Sequence, residues 1–240
     1  MNFRKSSISL TFLLLAWGSL FAQLKPQIQL NDADYDYNKR LRFGFSIGLN
    51  TMDFSVRSNP NPIGGELLFA DVSNLFPGFN VNVVSDLRLL STLSLRFLPG
   101  ISFGERSLSF YNPDGSLETM MKLESSFIEM PLLFKYAAKR NKNSRPYIVA
   151  GANFRIDMAA YKKLNIEEGV FLRLIKGDVY YEYGFGYDFF LTYFKLSMEL
   201  KMSTGLFNVL ANDYAEDGAE YFHAINRMRS QVIVFAFHFE

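Results

Sequence analysis

From Leu41 onward, apolar residues recur at every second position, the period of a strand with one apolar face. Phe43, Phe45, Ile47 and Leu49 alternate with Gly44, Ser46, Gly48 and Asn50. Near Thr51 the apolar phase changes, and Met52, Phe54 and Val56 carry it; this predicts a β-bulge. The alternation returns over Phe79–Leu89, Leu93–Phe103, Ile128–Tyr136, Ile148–Ile156, Val179–Phe189, Phe194–Met202 and Ile233–Phe239. Asn112-Pro113-Asp114-Gly115 is a turn signal joining the third and fourth runs. Pro99 and Pro131 fall inside strands, where each removes a ladder donor, and a bulge is expected at each.

A soluble sandwich would also alternate. Two features favour a membrane barrel. The polar faces mix Gly and Ser with long charged side chains, which suits a narrow interior where small residues make room for large ones. The connections also alternate in length. Leu90-Ser91 and Phe190–Thr192 are tight and Ala137–Arg145 moderate, whereas Arg57–Phe76, Ala159–Ile175 and Phe207–Met228 are long. Short turns on one side and long loops on the other form the outer-membrane pattern. The expectation is an all-β fold: an eight-stranded antiparallel transmembrane β-barrel over residues 41–240, both termini on the periplasmic, short-turn side.

Residues 1–22 read as a cleaved signal peptide, with Arg4 and Lys5 before the apolar stretch Ile8–Leu15 and a cleavage point after Ala22. Residues 23–40 lack either period and read as a mobile periplasmic arm. Cleavage would remove Trp17, the one tryptophan, and change the balance of 25 basic and 24 acidic residues to 23 and 24. That balance gives no electrostatic case for nucleic acid. Charged residues are 20% of the chain, too many for a polytopic helical membrane protein. The absence of cysteine excludes disulfide scaffolds and thiolate metal sites. The 25 phenylalanines and 13 tyrosines concentrate on the faces assigned to lipid.

The opposite faces carry Asp86, Glu129, Asp157, Asp178, Glu182, Asp188 and Glu199 against Arg88, Arg96, Arg106, Lys135, Arg155, Lys195 and Lys201. A lone buried charge is costly, so this balanced set reads as an ion-pair network across the lumen, making the barrel a plug and not a pore. No catalytic residue, cofactor site or metal site is expected. His238 sits on the lumen face, and His223, Ser230 and Asp213 share no triad spacing. Asn212, Asp213, Glu216, Asp217 and Glu220 lack the EF-hand spacing and read as a solvated acidic loop, with a calcium site left open. The turn Lys139, Arg140, Lys142, Arg145 is basic and faces the periplasm on this topology. Apolar loop patches suited to partner binding, or equally to packing within their own loops, are Leu67-Leu68-Phe69, Val170-Phe171-Leu172 and Tyr221-Phe222.

Several phrases resemble a known family. Arg42–Phe54, Phe127–Tyr136 and Pro146–Asp157 are similar to strands of small Bacteroidetes outer-membrane barrels. Tyr181–Lys195, continuing through Glu199-Leu-Lys201 to Gly205–Leu210, with the closing Phe239-Glu240, resembles the PorT/SprT family more specifically. Met198 stands where members of that family often have proline. The resemblance implies a non-enzymatic outer-membrane component of the type IX secretion system, and of gliding in species that glide. Its partners would be other secretion components and the lipid bilayer, with no small-molecule ligand. The alternatives are a generic barrel for adhesion or envelope integrity, and a lipid-modifying enzyme.

Overall fold

Alternating sequence becomes strand along almost the whole described chain. The computed structural model describes residue 30 and residues 39–59, 69–71, 76–160, 172–214 and 219–240; within 212–220 only backbone is described. The signal peptide, nearly all of the arm, and Leu67, Leu68, Val170 and Phe171 lie outside the described residues, as do the side chains of the acidic loop. The elements are β1 (Leu41–Ser58), β2 (Phe69–Asp71), β3 (Pro77–Arg88), β4 (Leu93–Phe97), β5 (Gly100–Tyr111), β6 (Leu117–Ala137), β7 (Ser144–Asp157), β8 (Leu172–Leu174), β9 (Gly177–Phe190), β10 (Lys195–Gly205), β11 (Leu210–Tyr214), α1 (Ala219–His223) and β12 (Ile225–Phe239).

Hydrogen bonding runs β1–β12–β10–β9–β7–β6, on to β4 and β5, then β3, and closes through a β1–β3 ladder. Since β4 and β5 form one wall position, the closed antiparallel ring has eight strands. Closure leaves the main ring without edges, which is what permits strands to cross a bilayer. The start of β1 and the end of β12 lie at the end of the ring that carries the short turns, and the long connections lie at the other end. The hairpin between β5 and β6 turns at Gly115, whose φ of +82° is open to glycine but strained for other residues.

The structure corrects three expectations of backbone irregularity. No bulge occurs near Thr51: β1 stays in register with β12 from Phe45 to Arg57. Met52 and Phe54 instead keep the inward parity of Ser46 and Asn50, so the chemistry changes sides while the pleat does not. No shift occurs at Pro99 either. Arg96 pairs with Asp86 below it and Gly100 with Asn82 above it in one unbroken register. Pro131 likewise pairs with Asn153 inside a continuous ladder. Leu98 N–H donates to Pro131 O, and the Leu98 carbonyl that a residue with an N–H would have used accepts Asn82 Nδ2 at 3.2 Å. A side chain thus fills the missing ladder position, and the strand need not bulge.

The reversal near Thr51 recurs around part of the ring. Outward residues are apolar up to Leu49, Phe103, Ile128 and Ile233, and beyond them come Asp53, Glu105, Glu124, Gln231 and Arg229. At the same level the inward residues become apolar. Phe54, Leu108, Phe110, Met121 and Met228 form a core with Leu172, Leu174, Leu210 and Tyr221. The barrel therefore has a lower zone with apolar residues outside and charge inside, and an upper zone with the arrangement of a soluble core. The β8–β11 pair and α1 come from the long connections and roof the upper zone.

Candidate functional site

The lower zone is filled by ionic groups. On β4, Arg96 is fully buried and reaches Asp86 Oδ2 at 3.2 Å, Glu199 Oε2 at 3.3 Å and Glu240 Oε1 at 2.9 Å. Asp86 also takes Arg42 at 3.3 Å, and Glu240 takes Lys195 at 2.6 Å. Asp188 on β9 binds Lys135 at 2.7 Å, Arg145 at 2.9 Å and Ser197 Oγ at 2.6 Å. Above this group, Glu182 receives Arg155 at 3.1 Å, Lys201 at 2.8 Å, Asn153 at 2.7 Å and Ser203 at 2.9 Å. Glu129 lies 3.5 Å from Arg155. Highest of all, Arg106 donates to Asp157 at 2.7 Å, directly beneath the apolar roof.

Aromatic rings separate the cations. Lys135 Nζ is 3.7 Å from the centre of the Tyr147 ring, whose hydroxyl donates to Glu199 at 3.0 Å. Arg155 lies over Tyr180 at 4.6 Å, and Arg106 over Phe54 at 4.5 Å. Such faces attract cations through the ring quadrupole and exclude water. Inward glycines accommodate these large groups. A Cβ at Gly186 would collide with the Tyr147 ring, and one at Gly104 would press on the Met52 side chain.

Of the sequence-predicted lumen residues, Asp86, Arg96, Glu129, Lys135, Arg155, Asp157, Glu182, Lys195, Glu199 and Lys201 all lie buried within these clusters. Arg88 does not fall among them. It ends β3 half-buried with its N–H on Arg40 O, and the base that joins Arg96 on Asp86 is Arg42. Sequence reasoning missed Arg42, Arg145, Tyr147 and Glu240. Parity would have found them, because each continues the inward series of its strand beyond the point where apolar alternation stops. His238 lies between the rungs of Ser46 and Ser197, its Nε2 3.5 Å from Glu199 Oε2. A cavity of about 10 Å³ between Arg155, Asp178 and Tyr180 has room for about one water.

The loop patches fare differently. Phe69 is exposed on β2, which pairs with β5 at the rim. Tyr221 is not a surface anchor: it is buried in the roof with its ring 4.8 Å from Phe110, and Phe222 packs against the same core. Ser230 is buried and accepts Arg106 Nη1 at 3.3 Å, which makes it part of the lumen packing.

The outer face is a continuous apolar belt. Phe43, Phe45, Ile47, Leu49, Phe79, Val81, Phe134, Ile148, Phe185 and Phe235 are all exposed, with Tyr136, Tyr181, Tyr183 and Tyr187 among them. Soluble monomers rarely expose a contiguous apolar surface of this extent, and one that does marks a protein or membrane contact. A closed antiparallel ring, an apolar belt and a charge-paired lumen define a transmembrane β-barrel. The chain belongs to the family described as outer membrane protein β-barrel domain, whose match spans residues 21–211. Solved structures with similar folds include the outer membrane protein OprG from Pseudomonas aeruginosa, with a TM-score of 0.47 and 12% identity over 82% of this chain and 92% of that one. Neisserial surface protein A has a TM-score of 0.42 and 8% identity, covering 83% of this chain and 98% of its own. AlkL, solved in lipid bilayers, gives 0.40 and 11%, covering 90% and 97%. No curated protein matches the sequence.

Proposed function

We propose that this barrel is a non-enzymatic component of the type IX protein secretion system, serving in its assembly or as an interaction platform, and in gliding where that machinery exists. One observation carries the reading: the interior is occupied from one end to the other by paired charges and an apolar roof. A barrel so filled offers its outside surfaces, loops and rims for work. The PorT/SprT-like phrases supply the system. Their most specific part forms β9 and β10 and contributes Glu182, Asp188, Lys195, Glu199 and Lys201 to the lumen, so the resemblance is carried by the scaffold. The termini and short turns face the periplasm in this reading, where the soluble secretion components would meet them.

A deletion strain tests it. Secreted cargo should disappear from the medium while other outer-membrane proteins stay at normal levels, and the intact gene should restore it. Normal secretion in the deletion strain would overturn the proposal and leave an adhesion or envelope role.

A further inference from the structure

On the outer face, two cross-strand rungs bound a hollow of about 580 Å³. The upper rung runs Tyr136–Ile148–Phe185–Leu200–Phe235 across five strands. The lower one runs Pro146–Tyr187–Met198, with Ala138 hydrogen-bonded beside Pro146. The rung between them, Tyr147–Gly186–Glu199, turns its side chains inward, so the floor is backbone. The small side chains of Ala138 and Pro146 leave the hollow open at the short-turn end. Four strand spacings make it about 19 Å long, the reach of an extended acyl chain. Strand tilt sets it obliquely to the membrane normal.

The open end carries charge. The turn between β6 and β7 holds four basic residues, two of which are engaged. Arg145 binds Asp188, and Arg140 donates to the carbonyls of Lys142 and Leu30 and covers the Phe190 ring. Lys139, which follows Ala138 in the chain, and Lys142 are exposed. Lys142 has φ 54°, which turns the chain and brings Ser144 back to Asn141. A cationic rim next to an acyl-length apolar hollow suits one ligand chemistry.

We infer that this groove holds one anionic glycerophospholipid of the periplasmic leaflet, its phosphate on Lys139 and Lys142 and one acyl chain between the two rungs. Lysine serves a phosphate as a point charge and needs no fork geometry. The inference rests on the membrane-barrel class and on the short-turn rim facing the periplasm, and it is independent of the secretion reading. A bound lipid would also fix the orientation of this rim against the bilayer.

The test is native mass spectrometry of the full chain, purified in detergent and supplied with phosphatidylglycerol, phosphatidylcholine of the same chains, or lipid A. Wild type should retain one phosphatidylglycerol at least tenfold more than either alternative. Lys139→Gln with Lys142→Asn should abolish that preference, asparagine being chosen because it tolerates φ > 0. Ala138→Phe, which fills the open end, should lower retention of every lipid. Heat-modifiable gel mobility confirms folding of each variant. Equal retention of phosphatidylglycerol and phosphatidylcholine, a preference for lipid A, or retention unchanged in the variants would reduce the groove to ordinary annular contact and overturn the inference.

Discussion

Arg96 meets three carboxylates, Asp86, Glu199 and Glu240, in a space closed to water. Replacing it with methionine would leave all three without their shared cation. The expected loss is about 3–5 kcal/mol, the cost of stranding buried charge, read as a lower urea midpoint for the barrel folded into vesicles. Adding Glu199→Gln should recover part of that loss, which simple loss of packing would not allow. The Gly186–Tyr147 contact gives a steric counterpart. Gly186→Leu should cost about 1–3 kcal/mol through overpacking, and Tyr147→Ala in the same chain should relieve part of it, the close approach to the Met198 carbonyl remaining. Most of these lumen residues were legible in the sequence, because a period of two assigns every charge to one side. Arg42, Arg145 and Glu240 escaped because their strands continue a few residues past the apolar alternation, where parity alone still applies. No signal marked Arg88 as different from its neighbours; its position at the last residue of β3 decides it.

Whole strands were legible where the bilayer sets the contrast between faces, and misread where the contrast inverts. Met52 and Phe54 looked like a change of phase because an apolar residue was assumed to face lipid. Above the belt, water lies outside and the same parity places apolar residues inside. The rim strand β2 and the roof strand β8 have three residues each, too short for any periodic signal, and α1 has five. Their stability comes from the core they cover. Phe110→Ala should cost about 3–5 kcal/mol by opening a cavity there. Hydrogen exchange should then rise in β8 and β11 while β9 and β10 keep their protection. The β5–β6 hairpin tip carries a separate, pH-linked contact. Hydrogen bonds from the Ser116 hydroxyl at 2.6 Å and N–H at 2.9 Å hold the Asp114 carboxyl below its ordinary 3.8. Its contribution is therefore present above the unfolded-state value and lost as pH falls through the lower folded one. An NMR titration should place the Asp114 midpoint below 3.8, and Ser116→Ala should move it back up.

At the scale of the whole barrel, two unlike layers close the passage. One is the lower ionic zone, where attraction between fixed charges holds side chains across the lumen. The other is the roof, where apolar contacts hold Leu172, Leu210 and Tyr221 over Phe54 and Phe110. They fail under different conditions, since salt screens charges only where water reaches them, and the roof depends on the length of the connections that build it. Planar-bilayer recordings of the folded chain should show no large, stable conductance. Shortening the 206–224 connection should expose the top of the barrel to protease yet leave it non-conducting, because the ring of Arg96, Arg155, Lys135 and their carboxylates remains below. Conductance should appear only when that layer is also emptied, for example by replacing Arg96, Glu199, Arg155 and Glu182 together with alanine, which removes charges of both signs in equal number; Asp86 and Glu240 keep Arg42 and Lys195, while Lys201 and Glu129 lose the ion pairs described above. If shortening the connection alone opened a stable pore, the ionic layer would be a permeable lining and the scaffold reading of the lumen would fail.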